Sequence, residues 1–282
     1  MERSSDDEHN NPAQLSDSER EKVEERRAVP ATVVYEAILV EGEEELARPA
    51  MSLAFSGLAA GLSMGFSLVA LGLLRSALPD TPWRPLIVNA GYTLGFLIVI
   101  LGRQQLFTEN TLTPILPLLQ SPNLATAGKV LRLWAIVLAA NIVGAIAFAY
   151  VMAHAALFKP VVTAAIGSIG HEACCEGFTT VVVRSIFAGW LIALMVWLLP
   201  GAENARAPVI MIITYIVGLA GFNHVIAGSV EVLYDVMRGG QTWSAYWLQF
   251  FFPTLLGNVI GGIVLVTALS YGQVVAERKA AA

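Results

Sequence analysis

Six stretches of about 17 to 38 residues carry no charge, or only one, and are rich in Leu, Ile, Val, Ala, Phe and Gly: Met51 to Leu74, Leu86 to Gly102, Leu133 to Phe158, Gly177 to Ala202, Ala207 to Val230 and Gly239 to Ala276. Runs of this length match the ~20 residues needed to cross a hydrocarbon core as a helix. The chain therefore reads as an all-α polytopic membrane protein with six crossings. Its charges support this, because only 14% of its 282 residues are Asp, Glu, Lys or Arg, the mean hydropathy is +0.64, and residues 1–50 hold more than half of the charges. A net charge of -5 gives no cationic surface for nucleic acid.

Residues 1–29 are acidic and Ser-rich with few large apolar side chains, the composition of a disordered cytoplasmic tail. Residues 30–50 place Val33, Val34, Ala37 and Ile38 beside the acidic cluster Glu41, Glu43, Glu44 and Glu45, which predicts an amphipathic surface helix. Residues 51–276 form the six-helix transmembrane domain and residues 277–282 a C-terminal tail. Six crossings put both ends on one side. That side holds Arg48, Lys129, Arg132, Arg206, Arg278 and Lys279, against Arg75, Arg84, Lys159 and Arg238, which favours cytoplasmic termini.

Two segments interrupt the scheme. Arg103 to Leu119 is polar and broken by Pro114 and Pro117, and Gly218 to His224 sets two polar side chains and two glycines inside an apolar run. Irregular backbone survives at membrane depth only where it is buried in protein or lines a wet cavity. An internal repeat connects the breaks. Asn141-Ile-Val-Gly-Ala-Ile recurs as Asn258-Val-Ile-Gly-Gly-Ile at an offset of 117, and an offset of 116 lays Leu106-Phe107-Thr108 on Phe222-Asn223-His224. Three crossings per half, an odd number, invert the second copy relative to the first and bring the two broken helices together near the midplane.

The segments QQLFTENTLTPI (Gln104 to Ile115), GFNHVIAG (Gly221 to Gly228) and GNVIGGIVLV (Gly257 to Val266) resemble the signature segments of the formate/nitrite transporter family. The resemblance runs from about residue 30 to 276. It implies an aquaporin-like fold with two inverted three-helix repeats and two broken helices, assembled as a homopentamer with a pore for a small monovalent anion or weak acid in each protomer. It also implies a bacterial inner-membrane location and no enzymatic activity. By the same resemblance Leu106, Phe107 and Thr108 form the loop of the first break, His224 is the central pore histidine, and Asn258 is the asparagine of the last helix. Three positions depart from the pattern: Gln105 and Asn223 are amides where many members carry an acid, and Ala173 stands where members place a vestibule lysine.

Physical reasons accompany these residues. Half-helices starting near Asn110 and Val225 would aim unpaired N–H groups and positive dipole ends at the centre. His224 can donate a hydrogen bond while neutral or attract an anion when protonated. Asn223 precedes it, and the Thr108 hydroxyl either donates from the facing loop or caps the next half-helix. Leu106, Phe107 and Val217 are candidate apolar constrictions, and Asn141 and Asn258 are structural ties between broken backbone and intact helices. Arg103, Glu109 and Arg184 are ionisable groups at or near membrane depth, read either as electrostatic elements of the pathway or as structural pairs.

No cofactor or metal is assigned. Cys174 and Cys175 are adjacent, a spacing that strains a mutual disulfide and fits no zinc motif, so His171 to Glu176 reads as part of a vestibule helix. The tripeptide Asn11-Pro12-Ala13 lies in the tail, where it reads as chance. Two alternatives remain: a neutral-solute pore of the same architecture, favoured by the amides at 105 and 223, and a membrane-embedded enzyme or interaction module using His171 to Glu176.

Overall fold

The computed structural model describes residues 29–281 except 203, with isolated positions 16, 18, 19 and 23. The tail motif at residues 11–13 lies outside them. Among the described residues five helices are long and apolar enough to cross a membrane: α2 (Ala50–Ala77), α3 (Arg84–Leu101), α5 (Leu124–His154), α7 (Phe178–Gly201) and α10 (Trp243–Glu277). The sixth crossing is broken, its two parts being α8 (Arg206–Leu219) and α9 (Val225–Met237). The surface helix α1 spans Ala31–Ala47, α4 is a short helix over Ile115–Gln120, and α6 spans Pro160–Glu172. The last helix runs on to Ala281 without a break at 276. Helix α5 begins nine residues before the apolar run at Leu133, because Asn123 caps it by accepting from Thr126 N–H at 2.9 Å and because Lys129 and Arg132 stay exposed on its first turns.

Each half is built alike. Helices α2, α3 with α4, and α5 form the first; α7, α8 with α9, and α10 form the second. Each is preceded by a shorter helix that covers one mouth: α1 packs on α4 and α6 on α9.

The symmetry is carried by two buried asparagines. Asn141 of α5 accepts from Phe107 N–H at 2.9 Å and donates to the carbonyls of Gly57 (2.7 Å) and Gln105 (2.9 Å). Asn258 of α10 accepts from Val225 N–H at 2.9 Å and donates to the carbonyls of Ser185 (2.8 Å) and Asn223 (2.9 Å). Each side chain thus satisfies one amide and one carbonyl of a broken helix and ties them to an intact one, which is what backbone in hydrocarbon requires. The approach needs glycine. A Cβ on Gly61 would strike the Asn141 backbone, and one on Gly189 the Asn258 backbone.

These bonds also fix the register. Gln105 and Phe107 correspond to Asn223 and Val225, an offset of 118. The offset of 116 expected at the break is therefore wrong by two residues, whereas 117 holds for the asparagines. Short motifs around a break are too irregular to fix register by letters alone. Leu106 is the counterpart of His224, and Thr108 reaches His224 across the pseudo-twofold axis rather than as its mate.

Replacing either Asn141 or Asn258 by Ala strands three backbone groups, at roughly 1–3 kcal/mol for each one left unsatisfied. Thermal melts of the detergent-solubilised protein should show large and similar destabilisation for the two variants, since the bonding patterns are equivalent.

Candidate functional site

The first break begins where α3 ends at Leu101. Arg103 takes a positive φ of 50° and turns the chain into the loop. Its guanidinium is exposed and pairs with Glu41 of α1 at 3.1 Å, and both residues border the cavity beneath α1. The loop then closes through a 3-10 turn at Glu109–Thr111 before the six residues of α4. A half-helix from Asn110 does not form, because Pro114 delays regular helix until Ile115. The first half therefore lacks the extended half-helix dipole that the second half has.

At the second break Gly221 adopts φ 64°, and His224 is the N-cap of α9. Its Nδ1 accepts from Ala227 N–H at 3.2 Å, so in the neutral ring the proton sits on Nε2. That nitrogen lies 2.7 Å from Thr108 Oγ1, to which it donates. Both residues are essentially inaccessible, at 1% and 0% exposure. Thr108 makes no side-chain cap to its own turn. With its oxygen accepting from His224, its O–H is directed elsewhere and has no other partner among the described residues.

The amides of α9 are less available than the sequence suggests. Val225 N–H is taken by Asn258, Ala227 N–H by His224 Nδ1, and Gly228 N–H by the His224 carbonyl. The polar groups left at the centre are the Thr108 hydroxyl and the imidazole more than bare backbone.

Two cavities approach this pair from opposite sides. One, of about 350 Å³, has His224 at its deep end with Val217, Phe222 and Asn223, and Arg75, Arg84, Ala173 and Arg184 toward its mouth. The other, of about 470 Å³, reaches Gln105 and Glu109 and opens beneath α1. Glu109 adjoins Thr108, so the Thr108–His224 bond lies between the two.

The apolar candidates divide. Val217 is fully buried and lines the first cavity. Leu106 and Phe107 are buried but line neither, and Phe107 stands edge-on to Trp134 with centroids 5.5 Å apart. Phe107 is packing in this conformation. Phe96, which the sequence reading did not single out, stands edge-on to His224 at 5.0 Å and holds the ring's orientation.

Arg184 pairs with Glu176 at 2.8 Å at the mouth of the first cavity, beside the Arg75–Glu172 pair at 2.7 Å. Glu109 carries a buried Oε1 with no hydrogen-bond partner. Gln105 is committed, donating to Glu45 at 2.9 Å and accepting from Asn110 at 3.0 Å. Glu45 also accepts from Thr113 Oγ1 at 2.7 Å. Burial beneath the loop holds the Glu45 carboxyl above the usual carboxylate range, against the lowering effect of the bonds from Thr113 and Gln105.

Contrary to the expectation from spacing, Cys174 and Cys175 are joined to each other, in the turn after α6 where Cys175 takes φ 77°. His171, Glu172 and Glu176 go to separate partners, Asp235, Arg75 and Arg184.

A membrane conduit is the class that these features define: inverted halves, two helix breaks tied by asparagines, and a Thr–His junction between cavities of opposite side. The chain belongs to the formate/nitrite transporter family, whose model matches residues 32–272. It is 39% identical over 274 residues to the inner membrane protein YfdC of Escherichia coli (strain K12), covering 95% of this chain and 88% of that protein. The fold is also that of two solved structures, each 19% identical. An FNT family ion channel has a TM-score of 0.73, with 86% of this chain and 99% of that one covered. A pentameric formate channel with formate bound has a TM-score of 0.67, with 79% and 96% covered.

The tautomer is directly measurable. In ¹⁵N-histidine-labelled protein in lipid, His224 should give the signature of a neutral ring protonated at Nε2. Thr108→Val removes the acceptor and should shift that signal, while Thr108→Ser preserves it.

Proposed function

We infer that the chain conducts small monovalent anions of the formate or nitrite kind, or their conjugate acids, through a pore within each protomer. The observation that carries this reading is the Thr108–His224 hydrogen bond at the junction of the two cavities. The imidazole holds the hydroxyl oxygen, and the hydroxyl proton is left to donate to an anionic oxygen in a dry constriction. Leu106, Val217 and Phe222 restrict the junction to small solutes, and Asn223 offers a neutral polar side chain beside it. Glu109 lies on the far side, while Arg184 and Arg75, each already paired with a carboxylate, set a mild field at the mouth.

Apart from exchange of a proton the solute passes unaltered, so the protein is a conduit rather than a catalyst. Membership of the family and the pentameric neighbour support a homopentamer, with the exposed apolar side chains of the helices facing lipid or neighbouring protomers. The 39% identical inner membrane protein supports a bacterial inner-membrane location. The cation bias of the loops supports cytoplasmic termini.

Purified full-length protein in liposomes, challenged with formate, nitrite, hydrosulfide, acetate and glycerol, tests the substrate class. Formate or nitrite flux above protein-free vesicles is expected, with His224→Ala altering its dependence on pH. Glycerol flux without anion flux would select a neutral-solute pore instead. Native mass spectrometry should give five copies per particle.

A further inference from the structure

Helix α9 carries an acidic stripe that the pore geometry above does not use. His224, Glu231 and Asp235 are seven and four residues apart, which at 100° per residue sets all three within about 20° of one line along the helix. Glu231 is about 10 Å from His224 along the axis at 1.5 Å per residue. It retains 8% exposure, lines the first cavity, and has no hydrogen bond or ion pair among the described residues. Asp235, one turn further out, retains 6% exposure and accepts from His171 Nδ1 at 3.2 Å. The His171 side chain is 66% exposed at the outer end.

An unpartnered carboxyl group in a cavity that leads to an anion site is costly as a bare charge and would oppose anion passage. Its neighbours do not neutralise it. Around the cavity Arg75 is paired with Glu172, Arg84 with Asp80 and Arg184 with Glu176. Tyr92 lines the same cavity, and Tyr246 of α10 is hydrogen-bonded to Ser229. The buried face of α5 presents no titratable side chain to α9. Other groups near the path are poorly placed to give up a proton. Asn223 is an amide, and the neutral His224 ring spends its one N–H on Thr108. Among the described residues Glu231 is the carboxyl group lining this cavity that has no hydrogen bond or ion pair.

We propose that Glu231 is the proton-exchange residue for weak-acid substrates in this cavity, recharged by protons that enter from the mouth. The step balances simply. The Glu231 carboxyl O–H breaks as an O–H bond forms on the incoming carboxylate. The neutral acid moves on past Val217 and Phe222 to the Thr108–His224 junction. The Glu231 carboxylate then takes a proton from hydronium that enters the cavity from bulk water at its mouth, leaving water behind. A carboxyl seven residues beyond the histidine so takes over what the amide at Asn223 cannot perform. This rests on the weak-acid transport reading above.

Full-length protein in liposomes loaded with a pH-sensitive dye reports formate flux and accompanying proton uptake together. Glu231→Gln keeps the volume and hydrogen bonding but cannot exchange a proton; Glu231→Asp keeps the acid. Glu231→Gln should lose at least roughly tenfold in formate-coupled proton uptake and flatten its rise on mild acidification, with Glu231→Asp staying within about threefold of the parent. A Gln variant matching the parent in rate and pH profile overturns the proposal. An Asp variant as inactive as the Gln variant assigns Glu231 a structural role and overturns it equally. A parent protein that moves no formate, nitrite or acetate overturns the transport reading itself, and this inference with it.

Discussion

Backbone amides and carbonyls deep in a bilayer must find partners, and in this protein two asparagine side chains provide them at the points where the helices stop. Asn141 and Asn258 each bridge both edges of a break to an intact helix. With the breaks held there, the first loop presents Thr108 and the second presents His224, and the two meet in a hydrogen bond shielded from solvent. The glycines at 61 and 189 serve the same end by letting each asparagine-bearing helix approach its neighbour. Pore chemistry is thus a consequence of how the fold satisfies its own backbone.

Charge is distributed so that the centre stays neutral while both approaches are ionisable. The mouth of the smaller cavity is set with Arg–carboxylate pairs, each of which tempers the field of its arginine. The larger cavity is bordered by Glu41, Glu44, Glu45 and Glu109, with Arg48, Arg103 and Arg206 among them. Neither approach is a simple cationic funnel. The junction offers one hydroxyl proton, and the imidazole is fixed as a neutral donor by its cap to Ala227. Protonating Nδ1 would compete with that cap, so ring protonation and the start of α9 are coupled.

Much of this was legible in the sequence, for definite reasons. Apolar runs report crossings because the bilayer sets their length, and Pro114 and Gly221 report breaks because helices do not tolerate them silently. Thr108, His224, Asn141 and Asn258 stood out as polar groups in apolar surroundings. What remained hidden depends on three-dimensional partners. The repeat register at the break needed the asparagine bonds, the short α4 needed the actual course of the loop, and Phe107 as packing needed Trp134. The partners of Arg103 and Arg184, Glu41 and Glu176, are likewise set by the folded chain. Glu231 carried a readable signal, its seven-residue spacing from His224, at a position just past the end of the apolar run.

The central claim is that Thr108 and His224 meet at a buried point between cavities open to opposite sides. An experimental density map of the protein in a lipid nanodisc, at a resolution that places ordered waters, tests it most directly. The account predicts Thr108 Oγ1 and His224 Nε2 within hydrogen-bonding distance, with water columns ending on either side of them. An imidazole turned toward lipid, or α8 and α9 running as one unbroken helix, would contradict it.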